Sequence, residues 1–181
     1  MVELKRHPNT SGDAVQGIDV AVSRAGGILS LTFRLRADLD RIRVPPQRAP
    51  AVVHELWKHT CFEVFIAREG SSEYFELNLS PSSEWAGYQF RDYREIAGLV
   101  DEGLAPRIAV RIGTDGLQLA TAIQLALLAP ALATAGLDIG LSAVIEDRDG
   151  RLSYWALNHP AAQADFHHRD TRTLRLEPSA S

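Results

Sequence analysis

The sequence predicts an all-β fold: a single-domain, two-sheet antiparallel sandwich of the jelly-roll kind, with one or two short helical turns. Three observations lead there. Apolar and polar residues alternate in short runs, as strands buried on one face require. Gly-containing turns separate several of those runs at hairpin spacing. Helical periodicity is sparse, so the strand–helix alternation of a doubly wound fold is missing.

The elements follow in chain order. Residues 28–35 place Leu29, Leu31, Phe33 and Leu35 on one face. Residues 61–66 do the same with Phe62, Val64 and Ile66. The cleanest alternation is in residues 74–79, with Phe75, Leu77 and Leu79 inward and Tyr74, Glu76 and Asn78 outward. Residues 107–112 run into the turn Gly113-Thr114-Asp115-Gly116, which feeds residues 117–125, where Leu117, Leu119, Thr121 and Ile123 share a face. These two runs form a hairpin. Residues 139–147 and 152–157 form a second hairpin around Asp149-Gly150, and residues 173–176 a last short strand. Residues 125–135 favour helix by composition, but Pro130 limits it to a turn or two on either side. Residues 50–57 are expected to hold another short turn. The Pro-rich stretch 45–50 is the best candidate boundary, yet residues 1–44 hold too few strands for a core. The expectation is one domain over residues 1–181, with an ordered core of about residues 15–176 and loose ends.

Composition excludes several classes. The chain is 45% hydrophobic and 23% charged, which rules out collagen-like, coiled-coil and wholly disordered chains. A single cysteine, Cys61, allows no intramolecular disulfide. The first sixteen residues lack an apolar stretch, and the longest apolar run, 125–132, is broken by Pro130. A secretory signal and a membrane span are both disfavoured, so the expected compartment is the cytoplasm. Net charge is -4, too small for a dominant electrostatic partner. Arginines in the first fifty residues are interspersed with acids, which argues against a nucleic-acid groove.

Candidate chemistry is concentrated in three polar-aromatic segments: ELWKHTCFE at 55–63, YFELNLSPSSEW at 74–85, and YWALNHP at 154–160 with DFHH at 165–168. All three tryptophans, Trp57, Trp85 and Trp155, fall within them. An indole beside Glu, Asn, Lys and His suits a neutral polyol, because sugars present apolar C–H faces to stack and a rim of hydroxyls to bond. Taken singly, a tryptophan is more often a core plug.

The stretches LWKHTCFEVFI and YFELNLSPSSEWAGYQF resemble the family 9 carbohydrate-binding modules and their relatives among the DOMON-like domains. YWALNHPAAQADFHH is similar to a bacterial branch of those DOMON-like proteins. In that superfamily a Trp precedes a strand carrying an acidic residue, matched by Trp57 and Glu63. The following strand has a Tyr-x-x-x-Asn-x-x-Pro ending, matched by Tyr74, Asn78 and Pro81. The resemblance implies a β-sandwich that grips the end of a sugar chain between two Trp rings. Trp57 and Glu63 carry over directly, Trp155 and Asn158 resemble the late Trp and a neighbouring Asn, and Trp85 has no counterpart. No Asp-rich loop marks the family's calcium sites. The haem ligation of other DOMON domains needs a Met and a His, and the only methionine is Met1.

Other chemistries are weaker. His54 and His59 lie five apart, and His159, His167 and His168 lie near Asp165, without the spacing of a zinc site. Glu63 and Glu76 would sit roughly 5 Å apart if the strand register opposed them, which suits a retaining glycosidase. Cys61, on a strand, reads as a buried inert thiol. The sequence therefore points to non-catalytic binding of a carbohydrate or similar polar molecule, with no cofactor, metal, nucleic acid or membrane. Trp57 and Trp155 would stack on the ligand, Glu63, Asn158 and His159 would hydrogen-bond it, and Lys58 and Glu76 would assist. The alternatives are a protein-interaction module using the same aromatic patch and a carboxylate-pair hydrolase.

Overall fold

The computed structural model describes residues 1–179. Twelve strands are present among them: β1 (Val2–Arg6), β2 (Val15–Ala25), β3 (Ile28–Ala37), β4 (Cys61–Arg68), β5 (Tyr74–Leu79), β6 (Trp85–Asp92), β7 (Glu95–Leu99), β8 (Arg107–Ile112), β9 (Gly116–Gln124), β10 (Leu137–Glu146), β11 (Leu152–Ala156) and β12 (Leu174–Leu176). All pairings between them are antiparallel. One sheet runs β1-β2-β3-β9-β8, and the other β7-β6-β5-β4-β10-β11. Strand β12 pairs with the first residues of β10, beside the stretch that β11 occupies. Strand β1 belongs to both sheets: Val2, Glu3 and Leu4 pair with β2, whereas Lys5 and Arg6 pair with β11.

The sheets pack face to face over one core. Phe33 of β3 meets Phe62 of β4 with ring centroids 5.1 Å apart. The inward sets foreseen for β3, β4, β5 and β9 all lie in that core apart from Thr121, which is buried as well. The period-2 pattern is therefore a direct readout of which face each strand buries. In the β8–β9 hairpin Gly116 has φ +155, and a Cβ there would fall 1.9 Å from the Leu35 carbonyl oxygen. Only glycine fits that close approach.

Four strands were not foreseen: β1, β2, β6 and β7. The first corrects the expectation of a loose start, since Leu4 is buried and β1 is held on both sides. Its sequence, VELKR, carries little β signal, and its order comes from non-local pairing. Strand β7 is an edge strand whose residues are mostly exposed, so it shows no alternation. Helix is confined to the one-turn α1 (Leu125–Leu128) and to 3-10 turns, including Leu56–Lys58 and Pro130–Ala133. Pro130 begins the second of those turns, as its missing N–H requires. No helix among the described residues is long and apolar enough to cross a membrane.

Candidate functional site

Strand β4 is buried on both faces, which a two-layer sandwich alone does not explain. Phe62, Val64 and Ile66 point to the core. Glu63, Phe65 and Ala67 point the other way and are buried as well. Register extends this outer face across the sheet: Ser142, Glu63, Asn78 and Ala86 form one cross-strand row, and Gly140, Phe65, Glu76 and Tyr88 the next. Tyr74 and Phe90 oppose each other in the row after that, their rings stacked at 4.7 Å. This face is covered by the segment between β11 and β12, which places Phe166 on the Phe65–Tyr74–Phe90 cluster.

The cover is incomplete and leaves a groove of about 520 Å³. Glu63, Phe65, Glu76, Tyr88, Phe90 and Val144 form its sheet side. Tyr154, Phe166 and His167 close one flank, and Trp57, Arg94 and Ile96 border the rest. Two non-glycine residues in the left-handed region shape this border. Glu55 (φ 63) immediately precedes the 3-10 turn that presents Trp57, and Arg94 (φ 55) sits in the β6–β7 turn. Such backbone states cost about 1–3 kcal/mol each and persist where surrounding contacts hold them.

The polar groups around the groove form one network. Asp165 accepts from the Tyr93 hydroxyl (2.7 Å) and pairs with Arg94 (3.0 Å), so the guanidinium already has a counter-ion. The Arg94 backbone N–H donates to the Tyr74 hydroxyl (3.1 Å), which is also hydrogen-bonded to Nδ1 of His167 (2.9 Å). Nε2 of the same ring lies 3.6 Å from Oε2 of Glu76. Burial, reinforced by Arg94, pushes His167 down to about 4, so it is neutral at pH 7. Burial pushes Glu76 up to about 7, against the opposing hydrogen bond from Asn78. Glu63 is raised well above the ordinary carboxyl range, first by burial and then by Glu76, with only Ser142 bonded to it. The two carboxyls share one low-dielectric floor without a direct cation, which is why both resist ionisation.

The structure brings together only some of the residues singled out from the sequence. Trp57 (45% exposed), Glu63 (2%) and Glu76 (5%) all line the groove. Lys58 lies 5.5 Å from the centroid of the Trp57 ring and pairs with Glu55 at 2.7 Å, buttressing the rim from outside. Trp155 is 6% exposed and belongs to the core between the sheets, its Nε1–H donated to Ser153. Strand alternation explains this: Tyr154 takes the outer face, so Trp155 must take the inner one. The expected slot between two Trp rings is therefore replaced by a Trp57 rim facing tyrosine and phenylalanine rings. Trp85 is a core residue too. Asn158 donates to the Asp170 carbonyl, and His159 bonds the Lys5 carbonyl and packs on His7, so both fasten the covering segment outside the groove. Register opposes Glu63 to Asn78 and Glu76 to Phe65, making the two acids diagonal neighbours rather than a facing pair. The sequence reading missed Phe65, Tyr88, Phe90, Arg94, Tyr154, Phe166 and His167. The outward set of Tyr74, Glu76 and Asn78 was the available signal for most of them, because it places aromatic and acidic groups on the non-core face. Among the described residues no group of three or more His, Cys, Asp and Glu side chains is arranged to hold a metal ion.

No protein-family model and no curated protein matches the chain. Its fold does match solved structures. A candidate carbohydrate-binding protein from Bacteroides uniformis is similar with a TM-score of 0.62 and 12% identity, over 94% of this chain and 84% of that one. A family 9 carbohydrate-binding module from Caldicellulosiruptor kristjanssonii, in complex with glucose, gives a TM-score of 0.56 and 11% identity over 99% and 85%. The cellotriose complex of such a module from that organism gives 0.50 and 11% over 87% and 73%. At these identities the likeness is one of fold, the all-β sandwich of the family 9 modules.

Proposed function

We propose that the groove on the outer face of the second sheet binds a saccharide without transforming it. The observation that carries this is the groove's composition: about 520 Å³ walled by aromatic rings, with two buried carboxyls on its floor. Rings supply stacking surface to sugar C–H faces, and fixed carboxyls supply directional partners for hydroxyls. Trp57 is the stacking ring that solvent reaches. Glu63 and Glu76 are the hydrogen-bonding groups, each with unused acceptor capacity. The shared fold supports the reading, since solved members of the family 9 modules hold glucose and cellotriose. Asn158, His159 and Trp155 are left out, because each is engaged elsewhere.

Titration calorimetry with a panel of mono- and oligosaccharides tests the proposal. Binding that quenches Trp fluorescence in the wild type and is lost in Trp57→Ala, with an unchanged unfolding transition, is the expected result. A wild type that responds to no saccharide in the panel sinks it. A protein partner is a second reading, favoured by the exposed Tyr93, Ile96 and Leu99 in and beside edge strand β7. Light scattering that shows concentration-dependent self-association, abolished by Ile96→Lys, would support that reading instead.

A further inference from the structure

Two under-bonded carboxyls lie on a diagonal at the floor of the groove. Among the described residues Glu63 accepts one hydrogen bond, from the Ser142 hydroxyl (3.1 Å). Glu76 accepts one, from the Asn78 amide (2.8 Å). A carboxyl keeps several acceptor sites whether or not it carries a proton, so both are under-used. His167 Nε2 stands 3.6 Å from Glu76, beyond a direct hydrogen bond. Asn78 projects from the same face of β5 as Glu76 and is wholly buried, and among the described residues its Oδ1 has no hydrogen-bond partner. A buried unsatisfied acceptor costs about 1–3 kcal/mol, but Asn78 lies off the groove lining, so the two carboxyls are the acceptors a ligand reaches.

Sugar hydroxyls can donate to these acceptors but bring no charge to them. An ammonium group has three donors and no acceptor. The surroundings suit it in a second way. Phe65, Tyr88, Phe90 and Tyr154 line the same groove, and aromatic faces attract a desolvated cation. Arg94, which lines the groove, is already neutralised by Asp165, and His167 carries no charge at pH 7. Resting on the saccharide reading, the geometry points to an amino sugar with a free amine as the ligand class, its ammonium held between Glu63 and Glu76. The ring would stack toward Trp57 while the amine reaches the floor, where the adjacent cation favours the charged carboxylates and their protons leave to solvent.

The test compares D-glucosamine, D-glucose and N-acetyl-D-glucosamine by calorimetry at pH 6.5, where the free amine is protonated and the acetylated one carries no charge. Glucosamine is expected to bind at least about tenfold tighter than either neutral sugar, which is about 1.4 kcal/mol. Glu63→Gln and Glu76→Gln, which keep shape and prevent ionisation on binding, should each shrink that preference to about threefold or less. Cooperative unfolding of both variants serves as the control for folding. Equal affinity for the three sugars overturns the amine assignment and leaves the saccharide reading standing. A glucosamine preference that survives in both variants overturns the role of these two carboxyls. If none of the three binds at millimolar concentration, the saccharide reading falls and this inference with it.

Discussion

Glu76 and His167 should give this protein two opposite pH dependences of stability that single substitutions separate. Glu76 rises in the folded chain from 4.5 to about 7, so the native state holds a proton that the unfolded chain releases. Its contribution is present in full below pH 4.5 and is lost as pH climbs through 7. At about 1.4 kcal/mol per pH unit this amounts to about 3 kcal/mol, an upper figure because the two acids share the proton penalty. His167 falls from 6.5 to about 4, so its contribution is present above pH 6.5 and is lost as pH falls through 4, again by up to about 3 kcal/mol. Both shifts come mainly from burial, which favours the neutral form of each group, with Arg94 and Arg172 adding to it at His167. Urea unfolding of wild type, Glu76→Gln and His167→Gln at pH 4.5, 5.5, 6.5 and 8 reads the effect. Relative to wild type, Glu76→Gln should gain stability as pH rises, and His167→Gln should gain as pH falls. Variant curves that run parallel to the wild-type curve, within about 0.5 kcal/mol, would refute the assignment of neutral forms to this pair.

The remaining predictions probe packing and the groove. Trp155→Ala should cost about 3–5 kcal/mol and lower Tm by about 10 °C, since it empties a core position. Trp57→Ala should cost under about 1 kcal/mol while removing saccharide binding, so matching losses of stability in the two variants would contradict their assigned places. Gly116→Ala should destabilise by at least about 2 kcal/mol, measured by thermal unfolding, because its Cβ would overlap the Leu35 carbonyl at a positive φ. The Cys61 thiol is fully buried and its pKa is raised by burial and by Glu63. Ellman's reagent should therefore label it only after denaturation, and rapid labelling of native protein would be evidence against a closed β4.

Alternation made the core legible wherever one strand face is apolar and the other is not. Leu29, Leu31, Phe33 and Leu35, or Phe75, Leu77 and Leu79, announce both strand and orientation by composition alone, because burial on one face is a local property of period two. Strand β1 shows the limit: VELKR becomes a strand only because β2 and β11 lie on either side of it. The same divide runs through the site. Trp57, Glu63 and Glu76 were visible as unusual residues in polar-aromatic segments. Trp155, expected as a second stacking ring, is sent inward by parity along β11.

By itself, then, the sequence determined the all-β class, most strand boundaries, the inward sets and the acidic and aromatic character of the second sheet's outer face. The tertiary structure alone decided that this face would be buried, since the covering segment, with Phe166 and His167, lies some ninety residues from Tyr74 in sequence and closes over it in space. It also decided the register that sets Glu63 and Glu76 on a diagonal. The reason is physical. Side-chain parity is written within a strand, whereas the dielectric around a carboxyl depends on what packs over it, and no local pattern encodes that.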